Sequence, residues 1–217
     1  MPSFTGFSDT QLTQVKSAYQ TTRKTLQQIV THELPGDSPS TKFRAQFKNW
    51  IGDIPARQDV HGEVKSAAAV LINTIKSMNA KVASLTFKVH YDATMGANAE
   101  MLSWRFDQGN IQDLEDDVSF CKKDDTTGLL VKDQRGGSPM TIGPAFFTLP
   151  ARSLDQQSQA QSFMHELSHH AAGTIDDGDA ANPCYGQQGV DRLKGLGPLR
   201  AVRNAENVAF FVVQFSS

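Results

Sequence analysis

Apolar residues follow a helical rhythm at both ends of the chain and an alternating one between them. Leu12, Val15, Tyr19, Leu26 and Val30 recur at helical spacing, which predicts a helix over 9–31 with Ser8 or Asp9 capping its start. Leu-Pro-Gly-Asp-Ser-Pro at 34–39 reads as a loop. Val64, Ala67, Leu71, Ile75 and Met78 form one face of a second helix over 59–81. The period then drops to two. Leu85, Phe87, Val89 and Tyr91 alternate with Thr86, Lys88 and His90, the pattern of a half-buried strand over 84–91. Residues 117–121 and 129–132 read as a hairpin, and Met140–Pro144 with the following Ala-Phe-Phe-Thr-Leu as a further extended segment. A polar stretch from Ser153 to Gln161 opens a helix through Ala172, which Gly173 can end. The apolar run Val208–Phe215 predicts a docking helix within 198–215. Helices, then strands, then helices make an α+β chain.

Composition narrows the class without naming a function. The 217 residues carry 21 Lys+Arg against 23 Asp+Glu, a net charge of −2. That balance argues against a dedicated nucleic-acid binder, which carries a basic excess. No stretch reaches the roughly 18 apolar residues of a membrane span. Two cysteines, Cys121 and Cys184, exclude a disulfide-framework miniprotein and leave open whether they are bridged. The first residues, Met-Pro-Ser-Phe-Thr-Gly-Phe, lack the charged and apolar regions of a signal peptide.

Chemistry concentrates in one stretch. His165-Glu166-Leu167-Ser168-His169 matches H-E-x-x-H, and on a helix two histidines four apart share a face and can hold one zinc ion. Glu166 then sits close enough to a metal-held water to act as a general base without being a ligand. A catalytic zinc needs a third protein ligand, and Asp176, Asp177 and Asp179 all follow within ten residues of His169. Spacing does not choose among them. For Asp177 and Asp179 the reading of a solvated turn acid is preferred. Residues 1–135 carry no comparable motif, and His32, His61 and His90 read as surface or satisfied core residues.

The stretch from Met140 to Phe215 resembles the aspzincin metallopeptidases, the deuterolysin and peptidyl-Lys metalloendopeptidase group. The resemblance rests on H-E-x-x-H, on Gly173-Thr174-Ile175-Asp176, on the Tyr185-Gly186 pair and on Asn204-Ala205-Glu206, which stands where the family shows Asn-Ala-Asp. Ile142–Pro150 also resembles the extended segment before the family's zinc helix. It implies one zincin-like domain over 1–217: helical scaffold to 83, a small mixed sheet over 84–150, and the zinc helix with the C-terminal helices from 151. It implies one catalytic Zn2+ held by His165, His169 and Asp176, with Glu166 as base and Tyr185 stabilising the oxyanion. Two departures stand out. Tyr185 follows Asp176 by nine residues where the family spacing is three, so about six residues must loop out between Asp177 and Cys184. Lysine-specific members use the Asp of Asn-Ala-Asp with a second acid to bind a basic side chain. Here Glu206 takes that place and no acid follows it, which argues against strict lysine specificity.

The function expected is a zinc endopeptidase acting on protein or peptide substrates, with no nucleic-acid partner. Its substrate is expected to pair with the strand around Met140–Pro144. Two alternatives remain: a translocated toxin or effector protease with an immunity or delivery partner, and a degenerate zinc-containing binding module. Secretion or translocation without a cleaved leader is favoured as the location, with the cytoplasm as the alternative.

Overall fold

In the computed structural model, residues 2–53, 58–60, 63–65, 67–84, 87–97, 99–100, 121–123, 130–132, 140–178 and 181–216 are described. Helix α1 (Asp9–Gln28) starts in a capping box: Gln11 N–H donates to Ser8 Oγ at 3.4 Å, and Ser8 N–H donates to Gln11 Oε1 at 3.0 Å. It continues as one wide π turn, Ile29–Glu33. Val15, Tyr19 and Leu26 are buried, as their spacing required. Helix α2 (Thr41–Trp50) was not anticipated from the sequence. Ser40 caps it, and Phe43 and Phe47, one turn apart, are its buried contacts.

The predicted second helix begins later than its apolar stripe suggested. Strands β2 (Gln58–Val60) and β3 (Glu63–Lys65) pair antiparallel, and helix α3 runs only over Ala67–Ala83. Gly62 and the β-branched Val60 and Val64 weaken a helix here, and Val64 therefore belongs to a strand. Ala67, Leu71, Ile75 and Met78 keep the expected buried face.

The sheet is small and mixed. Strands β1 (Ser3–Thr5), β4 (Lys88–Tyr91), β8 (Met140–Ile142) and β5 (Ala99–Glu100) lie in the order β1-β4-β8-β5. The first three are parallel, and β5 runs antiparallel to β8 with Ala99 opposite Ile142. A separate hairpin joins β6 (Cys121–Lys123) and β7 (Leu130–Lys132), so the first arm starts where the prediction ended it; residues 117–120 lie outside the described residues. The segment after β8 is not extended as predicted. Pro144–Thr148 forms a 3-10 helix with proline at its first turn, where a missing N–H costs nothing.

Helix α4 (Gln159–Ala172) lies at the centre, packed against α1, α3 and the C-terminal α7 (Ala205–Val213), with β5 also alongside. Phe163 of α4 meets the rings of Tyr19 and Phe87 at 6.2 and 6.0 Å. Full burial of one such ring contributes roughly 1.5–3 kcal/mol. The predicted docking helix within 198–215 is two helices, the short α6 (Pro198–Ala201) and α7, every residue of which is buried, and a further helix, α5 (Gly186–Leu196), precedes them. Among the described residues, no helix is long and apolar enough to cross a membrane.

Candidate active site

Every residue of α4 from Gln159 to His170 is buried except Glu166. The helix is capped by Ser158, whose Oγ accepts from Gln161 N–H at 3.2 Å, and it ends at Gly173. Gly173 has φ 62° and ψ 36°, the left-handed conformation that reverses the chain at a helix end. The reversal brings Thr174 back under the helix. Its carbonyl accepts from His169 Nδ1 at 2.7 Å, and its hydroxyl meets Ser168 Oγ at 2.6 Å.

Both histidines are held by Nδ1. A carbonyl only accepts, so His169 Nδ1 carries a proton. His165 Nδ1 donates to the Glu206 carboxylate at 2.9 Å. The two Nε2 atoms are thereby turned to the same point, 3.1 Å apart. Asp176 faces them, Oδ1 3.2 Å from His165 Nε2 and Oδ2 3.4 Å from His169 Nε2. Its Oδ1 is buried and off the line of any hydrogen bond. Glu166 stands one step back, with Oε1 3.9 Å from His165 Nε2. His165, Glu166 and His169 each bring a ligand-type atom to within 4.8 Å of the others.

The field at this point is strongly negative. Burial by itself would lower the His165 pKa, but Asp176 and Glu206, with Glu166 behind them, overcome it and raise the pKa well above the usual imidazole value. Burial by itself would raise the pKa of Asp176, but the two imidazoles hold its carboxyl well below the ordinary range.

Asp176 is placed by backbone pairing. Ile175 bridges Asn204, its N–H donating to Arg203 O at 2.8 Å and its carbonyl accepting from Ala205 N–H at 2.9 Å. The buried Asn204 also ties together the two segments that flank the site. Its Oδ1 accepts from Asp177 N–H at 3.3 Å, and its Nδ2 donates to Cys184 O at 3.2 Å. Arg192 makes a second tie, donating to Pro183 O at 2.9 Å and to Asp177 O. Asp177 and Cys184, on either side of the inserted residues, are therefore held at the same place. Tyr185 lands on the site despite its distance in sequence: its hydroxyl donates to Asp176 Oδ2 at 2.7 Å, and its ring stacks on His165 at 5.8 Å. Close packing makes this return geometry strict. A Cβ on Gly189 would lie 2.2 Å from the Cys184 carbonyl carbon.

Three expectations are corrected by this geometry. Asp177 is no solvated turn acid: it is buried, and Arg200 grips both its oxygens at 2.8 and 2.9 Å. Glu206, read as the acid for a basic substrate side chain, is 2% exposed and already occupied. It accepts from Gln161 Nε2 at 2.7 Å and from Gly186 N–H at 2.9 Å as well as from His165. Strand β8 has β4 on one side and β5 on the other, so it offers no free edge to a peptide. Asp179 lies outside the described residues. Cys184 is a free, buried thiol, and burial first, with Asp176 nearby, pushes its pKa up to about 12.

A family profile described as lysine-specific metallo-endopeptidase, the aspzincins, matches residues 74–213. The chain belongs to the aspzincin family. Among solved structures it is similar to a zinc peptidase from Grifola frondosa, at 18% identity and a TM-score of 0.59, over 96% of this chain and 97% of that one. That likeness shows the shared fold. A search of curated proteins found no match.

Membership makes the chain a zinc-dependent metallopeptidase, and the residues present fit such an ion. Two imidazole nitrogens and a carboxylate are ordinary zinc donors, and here they converge with both Nδ1 protons directed elsewhere. The buried, unbonded Oδ1 of Asp176 is an acceptor that a cation would satisfy. Sequence reasoning missed Gln161, Asn207, Arg192 and Arg200, which organise this aspzincin site, and took Asn204 only as part of a family motif. Asn207 donates to Trp50 O at 2.9 Å and Val190 O at 3.2 Å, and Asn204 donates to its Oδ1 at 2.8 Å. An Asn just before an almost wholly apolar helix and a second Asn three residues on, within it, were the available signal for this buried ladder.

Proposed function

We propose that this aspzincin is an endopeptidase in which His165, His169 and Asp176 hold one zinc ion, Glu166 is the general base and Tyr185 serves the oxyanion. The observation that carries this reading is the convergence of two Nε2 atoms, 3.1 Å apart, on the Asp176 carboxylate, with both Nδ1 atoms donating away from it. When bound, zinc polarises the scissile carbonyl and brings the pKa of water from 15.7 towards about 7.

Glu166 is the one residue between Gln159 and His170 that is not fully buried, which suits it to receive a proton from the attacking water. It then returns that proton to the leaving amine. Burial of the phenol and the nearby Asp176 carboxylate push the Tyr185 pKa up, so the hydroxyl stays a donor. The half-exposed Tyr185 ring can turn its hydroxyl from Asp176 to the substrate oxygen as negative charge develops there. Strand β5, one of the two outer strands of the described sheet and in contact with α4, replaces β8 as the edge along which an extended peptide pairs.

The test is a pair of variants assayed for zinc content and casein cleavage. Glu166→Gln should keep zinc and lose cleavage, and His169→Ala should lose both. Wild-type-like proteolysis by the Glu166→Gln protein would overturn the mechanism.

A further inference from the structure

Glu206 is a carboxylate on a helix whose other residues are almost all apolar, and it is 2% exposed. A buried charge persists only where donors answer it. Three do. Gln161 Nε2 and His165 Nδ1 donate to Oε2 at 2.7 and 2.9 Å, and the Gly186 amide donates to Oε1 at 2.9 Å. The first two donors lie on α4, and the third lies at the start of α5, directly after Tyr185.

We propose that Glu206 is a positioning residue that couples two parts of the site. Through Oε2 it holds the His165 ring with Nε2 facing His169 and Asp176. Through Oε1 it fixes the turn that stacks Tyr185 on that same ring. A carboxylate is the group this junction requires, because it accepts on both oxygens and donates on neither. An amide would turn its NH2 against either Gly186 N–H or the pair on α4. In the second case His165 would have to accept at Nδ1 and carry its proton on Nε2, the tautomer that cannot ligate a metal through the nitrogen facing the site. Buried, and with both oxygens turned to donors inside the protein, the Glu206 carboxylate is not presented to a substrate ammonium group. Selectivity for a basic side chain therefore does not come from this acid. The inference rests on the metallopeptidase reading only in taking His165 as a ligand.

The experiment compares wild type with Glu206→Gln, Glu206→Asp and Glu166→Gln. Zinc affinity is measured by chelator competition, and kcat and KM are measured at saturating zinc. The substrates are two peptides differing only in Lys or Ala after the scissile bond. Glu206→Gln should weaken zinc binding about 10–100-fold and lower kcat by the same factor on both peptides, with KM little changed. Glu206→Asp, which keeps the acceptors on a shorter arm, should recover part of both losses. Zinc affinity within about twofold of wild type, or a loss confined to the Lys peptide, overturns the proposal. Should the Gln variant not fold, Glu206→Asp decides alone: weakened zinc binding supports the coupling and unchanged binding refutes it. Cleavage by Glu166→Gln would sink the mechanism above while leaving the zinc measurements to judge Glu206.

Discussion

Helices α3 and α4 pack against each other and are of comparable length, 17 and 14 residues, yet they are buried in different ways. In α3 the buried positions form a stripe, Ala67, Leu71, Thr74, Ile75, Met78 and Val82, all apolar but one. In α4 burial is nearly continuous, and Gln159, Gln161, Ser162, His165, Ser168, His169 and His170 are all inside. Most of these polar groups have a named partner: Leu149 O for Gln159, Glu206 for Gln161 and His165, Thr174 for Ser168 and His169. Removing apolar surface from water needs no direction, so the buried face of α3 is specified by spacing. Burying polar groups needs particular acceptors from elsewhere in the chain, so α4 is specified by its neighbours. The buried polar helix is the one that carries the site.

The comparison can be broken experimentally, most severely at α4. His169→Ala should reduce cleavage and bound zinc to background while leaving the helical content intact, as read by metal analysis and far-UV circular dichroism. Loss of the fold would mean that α4 depends on its metal as much as on its packing. Phe163→Ala removes the apolar anchor of the same helix and should cost about 3–5 kcal/mol in urea unfolding, in chelator as well as in zinc. Asn204→Ala strands Asp177 N–H and Cys184 O, and should cost about 2–3 kcal/mol while also lowering kcat, because Asp176 and Tyr185 adjoin those groups. A cost in stability with kcat unchanged would sever the link between that amide and the site. Ile75→Val on α3 should have the smallest effect, about 1 kcal/mol, with zinc affinity and kcat as in wild type.

What was legible in the chain follows the same division. The stripes of α1 and α3, the glycine end of α4, and the β4 alternation were readable because each is local. The start of α3 was misplaced because Val64 continues the apolar stripe while pairing as a strand. Helix α7 was readable as apolar, but its Asn207 and Glu206 were not readable as junctions. The His165-Glu166-Leu167-Ser168-His169 motif was legible because a helix converts a spacing of four into one face. Asp176 was legible only through family resemblance, since three aspartates of similar spacing follow the motif. Asp177 and Glu206 were misread for one reason: a carboxylate written in a sequence looks the same whether it faces water, an arginine or a histidine.

By itself, then, the sequence determined the helices whose faces are apolar, the pair of histidines on one turn, and the glycine that ends that turn. These depend on contacts within a few residues, where backbone geometry converts spacing into direction. Only the tertiary structure decided that Asp176 and Tyr185 meet despite the residues inserted between them, that β8 lies inside the described sheet between β4 and β5, and that Glu206 accepts from His165. Those outcomes depend on which donors and acceptors the folded chain brings within about 3 Å of each other, and hydrogen bonds at that range are set by packing rather than by spacing.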